Sequence, residues 1–213
     1  MREAECLRWA AQVARAMDHY ARRGLVHGDL RPQSILLTRT RRAVLCELGI
    51  DVRPYEEHLR SRHGVVRSSP AYLAPEQGMG AESFDVRADI YALGITMFHA
   101  LTGRVPFDGP NPAVVISRHA RDPLPDPRDF VPAVSAETVE LLRKMCAKRP
   151  EDRHRTAREL LAEIAWVHSE KAGGSTPIVP LEPPDVLGSG ERSGPRSPSG
   201  LWRRVLRAFG FRR

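Results

Sequence analysis

The residues whose types could do chemistry are concentrated in one short polar run, residues 27–34. It contains His27, the carboxylate of Asp29, the guanidinium of Arg31 and the hydroxyl of Ser34. A carboxylate can orient a hydroxyl as its proton leaves, and a serine hydroxyl can ligate Mg²⁺. The other histidines are scattered (positions 19, 58, 63, 99, 119, 154 and 168) without a His-Glu-x-x-His or similar spacing, so a zinc site is not predicted.

The cysteines and the overall composition point to a globular protein of a reducing compartment. Cys6, Cys46 and Cys146 are far apart and odd in number, so no disulfide framework is predicted. Hydrophobic residues make up 41% and charged residues 28%, as in soluble globular proteins. The N-terminus lacks the apolar core of a signal peptide, and the longest uncharged run, residues 90–103, is too short to span a bilayer. We therefore expect a cytoplasmic protein with a buried core.

The net charge of +7 is concentrated in the tail, because residues 172–213 hold seven arginines and three acids. Residues 171–200 are predicted to form a disordered linker, since the stretch 173–200 contains six Pro, six Gly and five Ser and no aromatic residue. In residues 201–213, five arginines alternate with Trp, Leu and Phe. This pattern is typical of a membrane-surface helix or a partner-docking peptide, a frayed solvated end being the alternative. Nucleic acid is not an expected partner.

Apolar periodicity predicts a mainly helical domain with one hairpin. Ile35–Leu37 and Ala43–Leu45 read as its two strands. Residues 47–84 show no period and are predicted to form a long, partly ordered loop, which is usually functional. Helices are predicted at residues 4–23 (ended by Gly24), 86–102, near 112–120, at 136–148 (capped by Ser135), and from a Thr156–Glu159 capping box to 168.

Six short motifs stand in an order and at distances typical of one enzyme family. They are HGDLRPQSILL (27–37), ELG (47–49), SPAYLAPEQ (69–77), DVRADIYALG (85–94), LTGRVPF (101–107) and KRPEDR (148–153). Together they resemble the protein kinase superfamily, in its bacterial serine/threonine type, over about residues 5–168. The resemblance implies a kinase-like C-terminal lobe in residues 1–170, mainly α with a short β-hairpin, and no small lobe.

The resemblance also implies roles for the polar residues. Asp29 would accept the substrate proton, and Arg31 stands where the family has a lysine that contacts phosphate. Ser34 and Glu47 fall at the positions of the metal-binding Asn and Asp, so Mg-ATP is the implied cofactor. Ser69 would be the hydroxyl beside the catalytic loop. Three of these positions depart from the family: a guanidinium fork replaces a point charge, one metal ligand is shorter and the other is longer by a methylene.

Other family positions imply a structural role. His27 is expected to be a packed imidazole, and Glu76 and Arg153 to form a buried ion pair that ties the activation segment to the late helices. Asp89 is expected to hold the backbone of the catalytic loop. Gly28 replaces the arginine that pairs with an activation-loop phosphate in the family, so we expect that loop phosphorylation is not the on-switch.

Three functions remain open at this stage. The first is a degenerate, pseudokinase-like signalling or binding module with impaired or no phosphoryl transfer. The second is an active serine/threonine kinase whose small lobe is missing from the sequence. The third is an adaptor that acts through residues 201–213 on a partner or peripherally at the inner membrane surface. A protein partner or substrate is expected in each case, as is self-association through the surface that would face the small lobe.

Overall fold

The computed structural model describes residues 1–46, 69–81 and 83–171, and within them the fold is mainly helical, which confirms the predicted class. Two short strands, β1 (Ile35–Leu37) and β2 (Ala43–Leu45), form an antiparallel hairpin with Leu36 opposite Val44. The helices are α1 (Glu3–Ala21), α2 (Pro75–Gly78), α3 (Val86–Thr102), α4 (Pro112–Arg121), α5 (Ala136–Met145) and α6 (Ala157–Lys171). Single 3₁₀ turns occupy Pro32–Ser34, Pro70–Tyr72, Pro127–Asp129 and Pro150–Asp152.

The predicted bounds of α5 were wrong at its C-terminus. The periodicity predicted a helix to residue 148, whereas α5 ends at Met145. The carbonyls of Ala147 and Lys148 instead accept hydrogen bonds from the Arg153 guanidinium, at 2.7 and 3.0 Å. These two carbonyls would also lack a helical partner in a helix that ended at residue 148, so Arg153 caps the chain after α5 and does not end the helix. Pro150 accounts for the early end, because proline disfavours helical backbone at the residue before it.

The N-terminal caps of the last two helices follow the sequence signals closely. Ser135 Oγ accepts from the amide of Thr138 at 3.3 Å, as predicted. Thr156 Oγ1 accepts from the amide of Glu159 at 3.1 Å. The return bond of the capping box is displaced by one residue, because the Glu159 carboxylate accepts from the amide of Arg155. Both orphan amide donors are nevertheless satisfied.

Helix α3 lies at the centre of the core, as its uncharged sequence predicted. Its residues from Ala88 to Leu101 are all buried, and it packs against α1, α5 and α6. Helix α1 lies along α6 with its own apolar face buried. Across the described ranges 1–46, 69–81 and 83–171, no helix combines the length and the apolar character needed to cross a membrane.

The closest approach of α3 to the residues that end α5 depends on Gly94. A Cβ at this position would lie 2.7 Å from Cys146 Sγ and 2.9 Å from Met145 Cβ. Alanine favours a helix over glycine by about 1 kcal/mol, but overpacking a dense core costs about 1–3 kcal/mol. We expect Gly94→Ala to lower the free energy of unfolding in a urea titration, and Gly94→Ala with Cys146→Ala to recover part of the loss. A more stable single variant would contradict this packing.

Candidate functional site

The backbone of residues 27–28 is anchored to the buried carboxylate of Asp89 in α3. Asp89, 1% exposed, accepts hydrogen bonds from the amides of His27 (2.8 Å) and Gly28 (2.9 Å) and from the Tyr20 hydroxyl (2.8 Å). Burial raises the pKa of Asp89, and the three donors oppose that effect because they stabilise the ionised carboxylate. The loop is thereby fixed to the centre of the core.

The imidazole of His27 joins the loop to the end of the hairpin. It is buried, its Nδ1 lies 3.3 Å from the amide of Asp29, and its Nε2 lies 2.9 Å from the carbonyl oxygen of Cys46. A neutral imidazole with its proton on Nε2 satisfies both contacts, since Nδ1 then accepts. The structure thus places His27 in a packed, bridging position.

Asp29 and Arg31 form an ion pair at the surface of the loop. Arg31 Nε lies 3.2 Å from Asp29 Oδ2, and the two side chains are 23% and 31% exposed, respectively. The Asp29 carboxylate is therefore open to solvent on one side and faces a guanidinium on the other. A hydroxyl approaching Asp29 would meet a carboxylate that is already paired with a cation.

Ser34 points away from this opening and into its own turn. Its side chain is buried, the residue being 1% exposed. Its Oγ donates to the carbonyl of Arg31 at 2.8 Å and accepts from the amide of Arg31 at 3.0 Å. The carbonyl of Ser34 accepts from the amide of Cys46 at 2.8 Å, which ties the turn to the hairpin. The hydroxyl proton and one lone pair are both committed to backbone groups.

The second implied metal ligand, Glu47, lies outside the described residues. In the part of the chain that the structure describes, no cluster of three or more His, Cys, Asp or Glu side chains is arranged to hold a metal ion. The structure therefore brings Asp29, Arg31 and Ser34 into one loop, but of these only the Asp29 and Arg31 side chains face its open side.

Residues 69–77, which the resemblance implies to be the end of the activation segment and which we name the substrate segment for that reason, begin at Ser69. This residue is partly buried and precedes the Pro70–Tyr72 turn. The Tyr72 hydroxyl lies 2.7 Å from Nδ1 of His99 in α3, and both residues are buried. This contact fixes the segment to the helix that also carries Asp89. The loop and the substrate segment thus share one rigid support.

Glu76 and Arg153 meet in a two-bond ion pair. Arg153 Nη1 lies 2.7 Å from Glu76 Oε1 and Nη2 lies 2.8 Å from Oε2. The guanidinium is fully buried, with 0% of its side chain exposed, and Glu76 is 14% exposed. Arg153 also donates to the carbonyls of Arg87, Ala147 and Lys148, and its guanidinium carbon lies 4.8 Å from the centre of the Tyr91 ring. Every donor of the guanidinium therefore has an acceptor.

Two contacts of the site were missed by sequence reasoning. Gln77 donates from Nε2 to the carbonyl of Gly28 at 2.9 Å and accepts at Oε1 from the amide of Ala74 at 3.1 Å. Tyr20 supplies the third donor to Asp89. Gln77 is the last residue of the motif at residues 69–77, but nothing in that motif indicates that its side chain contacts Gly28. Tyr20 stands on the buried face of α1 and carried no separate signal.

Comparison with known proteins agrees with this geometry. A family model described as protein kinase domain matches residues 1–166. The serine/threonine-protein kinase PknB of Mycobacterium leprae is 32% identical over 184 residues, covering 86% of this chain and 28% of PknB. The DNA damage-responsive serine/threonine-protein kinase RqkA of Deinococcus radiodurans is 37% identical over 144 residues, covering 68% of this chain and 21% of RqkA. The serine/threonine-protein kinase pkn2 of Myxococcus xanthus is 34% identical over 211 residues, covering 89% of this chain and 25% of pkn2.

The aligned part is thus less than a third of the length of these relatives. The family match covers most of this chain, and its bounds contain the loop, the substrate segment and the Glu76–Arg153 pair. On the motifs, the fold and the family match together, the chain belongs to the protein kinase domain family, in its bacterial serine/threonine type.

Proposed function

We propose that this chain is a degenerate serine/threonine kinase domain that works as a signalling or binding module with impaired or no phosphoryl transfer. The observation that carries the proposal is the state of Ser34. At the position of a metal ligand the chain has a buried hydroxyl that is bonded to the backbone of Arg31 in both directions. The scaffold of the loop is complete, while the side chain that should face the metal is turned inward.

The described residues do not fit a Mg²⁺ site. Mg²⁺ requires near-ideal octahedral oxygen ligation at about 2.0–2.1 Å. The Ser34 hydroxyl keeps one uncommitted lone pair, but the residue is 1% exposed, so its side chain would have to move out of the turn to meet a solvated cation. The Arg31 guanidinium, which lies beside Asp29, would also repel a cation that approached the carboxylate. We therefore derive no phosphoryl-transfer step through this site.

The scaffold that remains suits a docking function. Asp89 holds the loop and the Glu76–Arg153 pair holds α2, so residues 69–77 are fixed in place, and Ser69, Pro70 and Ala71 stay partly accessible. We propose that a protein partner docks on this segment. Self-association is the alternative, and light scattering of the purified chain separates a stable monomer from an oligomer. The basic segment 201–213 lies beyond the residues described, and its role stays a hypothesis.

The test is a thermal shift with and without Mg-ATP. A ligand at 100 times its dissociation constant stabilises a protein by about 2.7 kcal/mol, which is several degrees for a domain of this size. We expect no rise in the midpoint for this chain, and a rise for an active family member run in parallel. Mg-ATP-dependent phosphorylation of a generic acceptor protein by this chain would overturn the proposal.

A matched variant isolates the three departures from the family. Arg31→Lys, Ser34→Asn and Glu47→Asp together restore the family residues without touching Asp29, Asp89 or the Glu76–Arg153 pair. We expect the triple variant to be stabilised by Mg-ATP more than the unmodified chain. An equal response would mean that these positions are not what limits nucleotide binding.

One observation favours phosphoryl transfer to protein hydroxyls as a second candidate. Asp29 keeps an anchored backbone and a partly exposed carboxylate, and the relatives named above are serine/threonine kinases. If this candidate holds, Asp29→Asn should abolish phosphorylation of an acceptor while leaving the thermal midpoint nearly unchanged. The binding-module proposal expects no phosphorylation before the substitution.

A further inference from the structure

The residue that precedes Asp29 is held through both of its backbone polar groups. Gly28 has φ +77°, a left-handed conformation that side-chain-bearing residues rarely adopt. Its amide donates to Asp89 Oδ1 at 2.9 Å, and its carbonyl accepts from Gln77 Nε2 at 2.9 Å. Because residue 28 has no side chain, another segment can hold the loop at this point only through the backbone.

Gln77 reaches this carbonyl from a well-fixed base. It is 8% exposed, and its Oε1 accepts from the amide of Ala74, the residue that precedes α2. Glu76, its neighbour in α2, is paired with Arg153. The Gln77 amide therefore donates one hydrogen bond to the catalytic loop and accepts one from the substrate segment. The ion pair of the adjacent Glu76 with Arg153 fixes the backbone of α2.

We propose that Gln77 is a positioning residue that couples residues 69–77 to the backbone immediately before Asp29. It sets the orientation of the 28–29 peptide, and through it the place of the Asp29 side chain relative to whatever docks on the segment. The coupling rests on the proposed function only in taking residues 69–77 as the docking segment. The contact itself is independent of nucleotide.

The chemistry of the side chain makes the proposal sharp. The amide of glutamine offers a donor to Gly28 and an acceptor to Ala74 at the same time, at any pH. An ionised glutamate keeps the acceptor but sets a carboxylate oxygen against the Gly28 carbonyl. A protonated glutamate regains a donor in its O–H group. Methionine fills a similar volume but has neither the donor nor the acceptor. Comparing ionised glutamate, protonated glutamate and methionine at position 77 therefore separates the effect of hydrogen bonding from that of packing.

The experiment measures amide hydrogen exchange at Gly28 and Asp29 by NMR, expressed as protection factors at several pH values. We expect Gln77→Glu at neutral pH and Gln77→Met at every pH to lose about tenfold in protection at these amides. We expect protection in Gln77→Glu to return as the pH falls through the carboxyl titration, because the protonated acid donates to Gly28 again. Gln77→Met should show no such recovery.

Gln12→Glu is the matched control. Gln12 uses its Oε1 to accept from the amide of Ala43, an acceptor that glutamate retains, so Gly28 and Asp29 should keep their protection. Unchanged protection in Gln77→Glu at neutral pH, or loss without recovery at acid pH, would overturn the proposal. If Gln77→Met fails to fold, the pH series on Gln77→Glu decides alone. Mg-ATP stabilisation of the unmodified chain would refute the proposed function and leave this result untouched.

Discussion

Glu76→Gln should lower the free energy of unfolding by about 3–5 kcal/mol, the cost of leaving a buried charge without its partner. The Arg153 guanidinium is fully buried and cannot turn to water when its counter-charge is removed. Glutamine preserves the shape and one acceptor oxygen, so the loss reports charge rather than volume. The three carbonyls that remain bonded to Arg153 hold the cation in place and stop it from escaping.

The measurement is a urea titration followed by circular dichroism, with Asp85→Asn as the control. Asp85 and Arg87 form a similar pair at 2.8 Å, but their side chains are 53% and 34% exposed. Exposed pairs contribute about 0–1 kcal/mol, and asparagine can still cap α3 as Asp85 does. Equal losses in the two variants would mean that burial does not govern the energy of the Glu76–Arg153 pair.

Helical elements could be predicted from the sequence wherever local chemistry decides them. The periodicity located the five long helices, α1 and α3 to α6, and the uncharged run of α3 predicted its place in the core. Ser135 and Thr156 marked two helix starts through bonds that span three residues. The predicted end of α5 lay three residues too far along the chain, because the periodicity does not take account of Pro150, which disfavours helical backbone just before it.

The candidate site was predictable in its residue positions and less so in its contacts. The Gln77–Gly28 bond joins residues 49 positions apart, and the Tyr20–Asp89 bond joins residues 69 apart. Neutral donors of this kind leave no periodicity and no charge pattern in a sequence. Only the fold brings them together, so a single sequence cannot select them from the other glutamines and tyrosines.

For Ser34, residue type alone leaves open which groups the side chain contacts. Read by type, its hydroxyl is a short but plausible ligand. Serine side chains also bond readily to nearby backbone groups, and here the amide and carbonyl of Arg31, three residues away, occupy the hydroxyl proton and one of its lone pairs. The longer amide of an asparagine would project further from the same turn. Ser34 therefore differs from the asparagine of the family in the length of its side chain as well as in the type of its ligand atom.

The stability of the fold should fall steeply as the pH drops from about 6.5 to about 4, in part because of His119. This imidazole is 1% exposed, and burial, with the nearby Lys148 ammonium, lowers the pKa of His119 from 6.5 to about 4. Its Nδ1 lies 2.8 Å from the Tyr91 hydroxyl oxygen. The centre of its ring lies 4.8 Å from the centre of the Phe107 ring. A neutral ring can accept the Tyr91 proton, whereas a protonated ring cannot.

The sign follows from proton linkage. Because the folded pKa of His119 lies below the unfolded one, the unfolded chain binds the proton first as the pH falls. The contribution is fully present above pH 6.5, is lost down to about pH 4, and changes no further below it. At about 1.4 kcal/mol for each pH unit, the loss in the free energy of unfolding is about 3.5 kcal/mol. Burial also lowers the pKa of His99, His154 and His168, so these imidazoles change the stability in the same direction as the pH falls.

His119→Asn isolates this residue, because asparagine retains an acceptor for Tyr91 but does not titrate. The variant should be less stable at pH 7, and its stability should depend on pH between 4 and 6.5 with a slope smaller by up to one proton. Phe107→Leu is the control: it removes the ring contact to His119 and should lower stability while keeping most of the slope. An unchanged slope in His119→Asn would contradict the prediction, because it would show that folding does not lower the pKa of His119.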